Sequence, residues 1–304
     1  MVSTRRSAHL RNVATGSASA RSCKKVPAKR ASKYFSADAK TEVKKPKMKR
    51  IKGLQSPLEK PFNPPRTWEK DYETFLYIRA KQNAPVDDIG CERLADTDNM
   101  DVYRYQTLIA LMLSSQTKDQ TTAEAMEKLK KHGLTVENIL KTPPEKLNAL
   151  ISKVGFHNNK TKYIKRTTEI LAEQFDSKVP PSVRDVLSFP GVGPKMAFIL
   201  FNVAFDNPAG IGVDTHVHRI CNTLGWAKAK TPEKTRVQLE SWLPKDRWSE
   251  INVLLVGVGQ MIQQPKERPK LIERVRRAPT EEMAARAKKL LLRVGMKKQH
   301  FENE

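Results

Sequence analysis

Cysteine is scarce in this chain of 304 residues. Cys23, Cys91 and Cys221 lie far apart in the sequence, which excludes a dense disulfide framework and fits a reducing compartment. No run of 18 apolar residues occurs, so the sequence predicts neither a transmembrane helix nor a membrane partner. Alternating strand patterns are also lacking, whereas helical periodicity recurs throughout, so we predict an all-α fold.

Acidic residues are few relative to basic ones, since 33 Asp and Glu stand against 56 Lys and Arg and give a net charge of +23. Such a charge suits a polyanionic partner. Residues 1–60 hold 17 basic and 3 acidic residues without apolar periodicity, and we predict disorder there. The acid-free residues 1–37 resemble a mitochondrial transit peptide, and residues 44–50 (KKPKMKR) resemble a nuclear localisation cluster. The alternative is a solvated basic arm that raises non-specific DNA affinity.

A glycine-rich turn at residues 189–195 (FPGVGPK) separates two segments with helical periodicity. Gly191 and Gly193 permit a very tight turn, and Pro194 suits the first turn of the following helix. The unpaired N–H groups at such a helix start favour a phosphate, and here they would come from Gly191, Val192 and Gly193. The alternative is an ordinary helix–helix turn.

Lys195 and Asp214 are the candidate reactive residues. Lys195 follows the turn at the positive end of the helix dipole, which disfavours an ammonium, so its amine is a candidate nucleophile. Asp214 precedes an apolar run and is predicted to be the N-cap of a helix. A capping carboxylate is rigidly held and can still face a site, where it would relay protons and stabilise positive charge.

Four motifs occur in order, at residues 113–119 (LSSQTKD), 154–160 (VGFHNNK), 190–195 (PGVGPK) and 213–216 (VDTH). Together they resemble the signature set of the endonuclease III family of helix-hairpin-helix DNA glycosylase/AP lyases. The resemblance implies two helical lobes with a DNA-binding cleft between them. It also implies a monomer that excises oxidised pyrimidines from damaged double-stranded DNA, through a lysine Schiff base and β-elimination in base excision repair. The alternative is a helix-hairpin-helix DNA-binding protein without catalytic activity.

The resemblance assigns roles to single residues. It implies that Lys195 attacks the sugar C1′ and that Asp214 stabilises the cationic sugar. Gln116 would fill the gap left by an extruded base, Phe156 would be a wedge into the opposite strand, and Asp119 would lie near the lesion pocket. The alternative for Gln116 and Asp119 is that they are simply polar residues of a loop. The alternative for Phe156 is that its ring packs into the protein interior.

Two further residues of the second motif, His157 and Lys160, are predicted to contact DNA. His157 is alternatively structural, and nothing in the sequence places it as a metal ligand.

The chain departs from the family pattern after Cys221, where no cysteine follows. Most family members carry four closely spaced cysteines there that bind a [4Fe–4S] cluster. We therefore predict that this chain has no cluster and needs no cofactor. The predicted divisions are a basic targeting tail (residues 1–62), a terminal-helix lobe (63–99 with 226–263), a six-helix barrel with the hairpin (100–225), and a basic C-terminal tail, in part helical (264–304).

Overall fold

The computed structural model describes residues 54–80 and 84–302. Within these ranges the chain forms α-helices, loops and short 3-10 turns without a β-strand, so the predicted all-α class is confirmed. The segments 1–37 and 44–50 lie outside the described residues. The helices are α1 (Trp68–Arg79), α2 (Pro85–Ile89), α3 (Met100–Ser114), α4 (Asp119–His132), α5 (Val136–Lys141), α6 (Pro144–Leu150), α7 (His157–Gln174), α8 (Val183–Val186), α9 (Pro194–Ala204), α10 (Thr215–Leu224), α11 (Pro232–Glu240), α12 (Glu250–Gln263), α13 (Arg268–Arg276) and α14 (Glu281–Arg293).

No described helix is both long enough and apolar enough to cross a bilayer. The buried apolar side chains instead form two clusters, each with its own set of helices.

The first cluster, here called the terminal-helix cluster, draws on α1, α10, α12, α13 and α14. Trp226 is completely buried there. The ring of Tyr72 stacks on it at a centroid distance of 6.0 Å, and the ring of Phe75 lies nearly perpendicular to it at a centroid distance of 6.2 Å. Because both of these residues belong to α1, the tryptophan anchors α1 to the rest of the cluster.

The second cluster, here called the barrel cluster, surrounds α3 and includes residues of α4 to α9. Leu108, Ile109 and Leu113 of α3 are completely buried. An apolar helix with little exposed surface must be covered on several sides, and α4, α7 and α9 provide that cover. α3 ends at Ser114, directly before the polar residues 115–119 of the first motif.

The packing divides the chain differently from the predicted boundaries. Residues 100–225 were predicted to form the barrel, but Val217, Ile220 and Leu224 of α10 belong to the terminal-helix cluster. The reason is that α10 is amphipathic and lays its apolar face on α12.

The segment 264–304, predicted to be a basic tail that is in part helical, forms the helices α13 and α14, and these pack on the rest of the protein. α13 and α14 pack against each other, and α14 also packs on α1. Leu290 and Leu291 are buried in the terminal-helix cluster. Arg219 on α10 donates to the carbonyl of Val294 at 2.6 Å. Burial of the leucines stabilises this packing, while the charged groups of the same helix stay in water.

Candidate active site

The predicted hairpin connects α8 to α9. Gly191 has a φ of +79°, which favours glycine, and a Cβ there would lie 2.5 Å from the ring of Tyr163. Gly193 is the N-cap of α9 and Pro194 is its first residue, as the sequence predicted. The N–H groups of Gly191 and Gly193 make no hydrogen bond to any residue that the structure describes. Both are therefore available to an anion.

Val192 departs from the prediction that its N–H holds a phosphate. That N–H donates to the carbonyl of Phe189 at 3.2 Å, and the side chain is buried in the barrel cluster. The turn itself uses this donor, so two of the three predicted N–H groups remain.

Lys195 is the second residue of α9, and its side chain is exposed. Within the described residues its Nζ forms neither a hydrogen bond nor an ion pair. The side chain lines a cleft of about 310 Å³, here called the central cleft. An amine without a partner, at the edge of a cleft, is accessible to an electrophile.

Asp214 lines the same cleft and is the N-cap of α10, as predicted. Its Oδ1 accepts from the N–H of Val217 at 2.8 Å, while Oδ2 has no donor among the described residues. Gly212, two residues earlier, lies so close to α9 that a Cβ would meet Cγ1 of Ile199 at 2.5 Å. One carboxylate oxygen thus fixes the side chain, and the other remains available for chemistry.

His216 and Gly259 bring α10 and α12 together at the central cleft. A Cβ on Gly259 would meet Nδ1 of His216 at 2.3 Å, so the ring lies directly on the backbone of α12. Burial lowers the pKa of His216, an effect that the carboxylate of Asp214 opposes. The lowered pKa favours the neutral imidazole, which can both donate and accept a hydrogen bond.

Asp119 is the first residue of α4 and lines the central cleft, where the sequence placed the lesion pocket. Gln260 of α12 donates through Nε2 to Asp119 Oδ2 at 2.8 Å and accepts through Oε1 from the N–H of Val86 at 3.0 Å. Because the Val86 N–H can only donate, the orientation of the Gln260 amide is fixed. The Gln260 amide therefore connects α2, α4 and α12 at one wall of the central cleft.

Gln116 lines the central cleft, and it shares a neighbouring pocket with Phe156. Both are exposed, and both have positive φ values of 52° and 58°. A Cβ on Gly155 would lie 2.8 Å from the carbonyl oxygen of Gln116, so the two loops touch through a position that only glycine fits. Phe156 is 63% exposed and does not pack inward. Two exposed residues in a conformation that costs free energy are typical of a binding surface.

The structure treats the two residues His157 and Lys160 differently: the DNA contact of His157 stays a prediction, whereas that of Lys160 is contradicted. His157 is half-buried, and its Nδ1 lies 3.2 Å from Oδ1 of Asn148. Lys160 is only 6% exposed, and its ammonium donates to oxygens at the end of α3. A buried ammonium that uses its donors inside the protein cannot serve as a phosphate contact, so the prediction is wrong for Lys160.

Sequence reasoning missed Gln260 and assigned no role to His216. The only available signal for Gln260 was a polar residue in the apolar segment of α12, next to Gly259. His216 belonged to a recognised motif, but its contact with α12 could not be foreseen from sequence spacing.

The residues of this chain do not fit an iron–sulfur cluster. A [4Fe–4S] cluster needs four ligands, normally cysteine thiolates, and the sequence contains three cysteines. Cys221 is completely buried in the terminal-helix cluster, and burial raises the pKa of its thiol. Cys91 lines the central cleft instead. Within the described ranges, no group of three or more His, Cys, Asp or Glu side chains could hold a metal ion.

The two-lobed helical fold, the Gly-x-Gly hairpin and the lysine–aspartate cleft define a class, the helix-hairpin-helix proteins of base excision DNA repair. In agreement, residues 109–245 match the family described as "HhH-GPD superfamily base excision DNA repair protein". The chain is 51% identical to endonuclease III-like protein 1 of Mus musculus over 209 residues, which covers 68% of this chain and 70% of the mouse protein. It is 48% identical to the endonuclease III homolog of Schizosaccharomyces pombe over 208 residues, which covers 67% of this chain and 59% of the yeast protein.

The fold is also similar to that of a trapped endonuclease III–DNA covalent intermediate. The TM-score is 0.57 at 24% sequence identity, and the match covers 73% of this chain and 97% of the other. The chain belongs to the endonuclease III family, whose members are DNA glycosylases with AP lyase activity in base excision repair. The alternative of a DNA-binding protein without activity is therefore not favoured.

Proposed function

We propose that this glycosylase/AP lyase removes oxidised pyrimidines from duplex DNA through a lysine imine. The observation that carries the proposal is the placement of Lys195 and Asp214. Both line one cleft, with an unpaired amine on the first and an unpaired carboxylate oxygen on the second.

DNA binding is assigned to the hairpin and to the two exposed loops. The N–H groups of Gly191 and Gly193 hold a phosphate at the start of α9. Phe156 inserts into the opposite strand as a wedge, and Gln116 fills the gap that the extruded base leaves. Extrusion is needed because the C1′ atom of a stacked nucleotide is not accessible to a side chain.

The chemistry then requires only side chains of the cleft. The Asp214 carboxylate accepts a proton from Lys195, and the free amine attacks C1′ as the bond to the base breaks. The base leaves with the bonding electron pair and takes up a proton. The C1′–O4′ bond then breaks, O4′ takes up a proton, and an imine joins Nζ to C1′. A C2′ proton is lost to water, and the 3′ phosphate leaves with the electron pair of the C3′–O bond in a β-elimination. An imine makes that proton acidic, which is the reason for a lysine rather than a water molecule.

Borohydride trapping tests the substrate and the mechanism together. The chain is incubated with duplexes that contain thymine glycol, 8-oxoguanine or no lesion, with a preformed abasic duplex beside them. We expect a covalent adduct with the thymine glycol duplex that Lys195→Gln abolishes. An adduct with the 8-oxoguanine duplex alone would overturn the substrate assignment, and no adduct with any duplex would overturn the imine mechanism.

We propose further that the chain acts without an iron–sulfur cluster. The cysteine content supports this proposal, and the packing of α13 and α14 on the terminal-helix cluster supplies an alternative source of stability. Protein purified from iron-supplemented cells should contain less than one iron atom per chain, and ferricyanide should leave its melting temperature unchanged. Four iron atoms per chain would contradict the proposal.

The cellular location is proposed from sequence alone. Residues 44–50 support nuclear import and residues 1–37 support mitochondrial import. A fluorescent protein fused behind residues 1–60 should reach both compartments. Diffuse fluorescence would contradict both assignments. The chain is expected to act as a monomer, which light scattering of the purified protein tests.

A further inference from the structure

Lys160 is a buried cation whose three donors are all used at the end of α3. Its Nζ donates to the carbonyl of Leu113 at 2.7 Å, to the carbonyl of Ser115 at 2.5 Å and to Oγ1 of Thr117 at 3.0 Å. An ammonium has three N–H donors, so the set is complete. The described residues include no carboxylate that pairs with Lys160.

These acceptors lie on both sides of Gln116. The last carbonyls of a helix have no partner within the helix, and the negative end of its dipole favours a cation. Lys160 thus joins Leu113 and Ser115, which precede Gln116, to Thr117, the residue that follows it. Burial lowers the pKa of Lys160 to about 8, so the amine is still protonated at pH 7.

The turn at Gln116 needs such support because its conformation is unfavourable. A left-handed backbone is sterically unfavourable for a residue other than glycine. The side chain is exposed, so it contributes little packing that would offset this cost. The contact of Gly155 with the Gln116 carbonyl supports the turn from one side, and the ammonium of Lys160 supports it from the other.

We propose that Lys160 is a positioning residue that holds Gln116 in its gap-filling conformation before DNA binds. This inference rests on the role proposed for Gln116. It assigns to Lys160 no contact with DNA and no part in the bond-breaking steps.

The same helix contains a matched control. Lys165 of α7 also donates three hydrogen bonds, to the carbonyls of Ile139, Leu140 and Thr142 at 2.9, 3.0 and 3.0 Å. It therefore stabilises the end of α5 as Lys160 stabilises the end of α3. The α5 end does not line the central cleft, so loss of Lys165 removes a similar structural interaction away from the site.

The experiment compares two substrates in Lys160→Met and Lys165→Met. The first is a thymine glycol duplex under single-turnover conditions, which requires base extrusion. The second is single-stranded DNA with a preformed abasic site, which has no gap to fill. We expect Lys160→Met to lower the duplex rate roughly 10–100-fold, the size of a positioning effect, and to change the single-strand rate by less than about twofold. Lys165→Met should leave the ratio of the two rates unchanged.

A double-mutant cycle identifies the path of the effect. Gln116→Ala should lower the duplex rate, and adding Lys160→Met should have little further effect because both changes remove the same function. Independent, additive losses would overturn the inference about Lys160. If Gln116→Ala itself leaves the duplex rate unchanged, the proposed role of Gln116 fails instead, so the two failures are distinguishable.

Salt dependence separates positioning from phosphate binding. If Lys160 contacted a phosphate, its loss would reduce the salt slope of DNA affinity by about one. We expect the slope of Lys160→Met to equal that of the wild type, and a reduced slope would overturn the inference.

If Lys160→Met does not fold, a milder variant tests the same inference. Thr117→Val removes one of the three acceptors and should lower the duplex-to-single-strand ratio in the same direction by a smaller factor. An unchanged ratio in Thr117→Val would then count against the inference.

Discussion

The buried leucines of α14 give a quantitative test of the docked C-terminal helices. Leu291 is completely buried in the terminal-helix cluster. Truncation of a fully buried leucine to alanine typically costs about 2–5 kcal/mol, through lost transfer free energy and the cavity left behind. Against a total stability of roughly 5–15 kcal/mol for a folded protein, Leu291→Ala should shift the urea unfolding midpoint clearly. The intrinsic fluorescence of the four tryptophans, which include the buried Trp226, reports this unfolding.

Leu292 is the matched control because it is the next residue of α14 and is only half-buried. The same truncation at Leu292 should cost about 1 kcal/mol or less, since less apolar surface leaves water on folding. Equal and small losses for the two variants, both under about 0.5 kcal/mol, would refute the packing of α14 on the terminal-helix cluster.

Three other predictions concern the site. Asp214→Asn should keep the N-cap and change the free energy of unfolding by less than about 0.5 kcal/mol. It should nevertheless slow base release about 10²–10⁴-fold, and a normal rate in a glycosylase assay would contradict the role of Asp214. Phe156→Ala should leave the melting temperature unchanged because the ring is exposed, but lower the rate on a lesion duplex; an unchanged rate would rule out a wedge. Burial alone lowers the pKa of Lys160 to about 8 from 10.5, so the unfolded chain binds more protons between these values. The free energy of unfolding of the wild type relative to Lys160→Met should therefore rise from pH 8 to pH 10.5 in urea titrations. A fall over that range would contradict the lowered pKa of Lys160.

Sequence reasoning succeeded where a local pattern determines a local structure. The N-cap at Asp214 and the start of α9 at Pro194 follow from short-range rules, because capping and turn formation involve only neighbouring residues. The all-α class follows from helical periodicity in the same way.

The failures concern contacts between residues distant in sequence. Lys160 resembled a DNA-binding lysine, but its burial depends on how α7 packs against the end of α3, 45 residues earlier. Gln260 meets Asp119 across 141 residues, a contact that no periodicity predicts. The C-terminal segment was predicted to be in part helical, but the cluster into which the leucines of α14 pack could not be predicted from the sequence.

The central claim is that the amine of Lys195 forms the covalent bond to DNA. Its most direct test is mass spectrometry of the borohydride-trapped adduct after proteolysis and nuclease digestion. The account predicts that the residual deoxyribose mass lies on the peptide that contains Lys195. A sugar mass on another lysine, or on the amino terminus, with an unmodified Lys195 would contradict it.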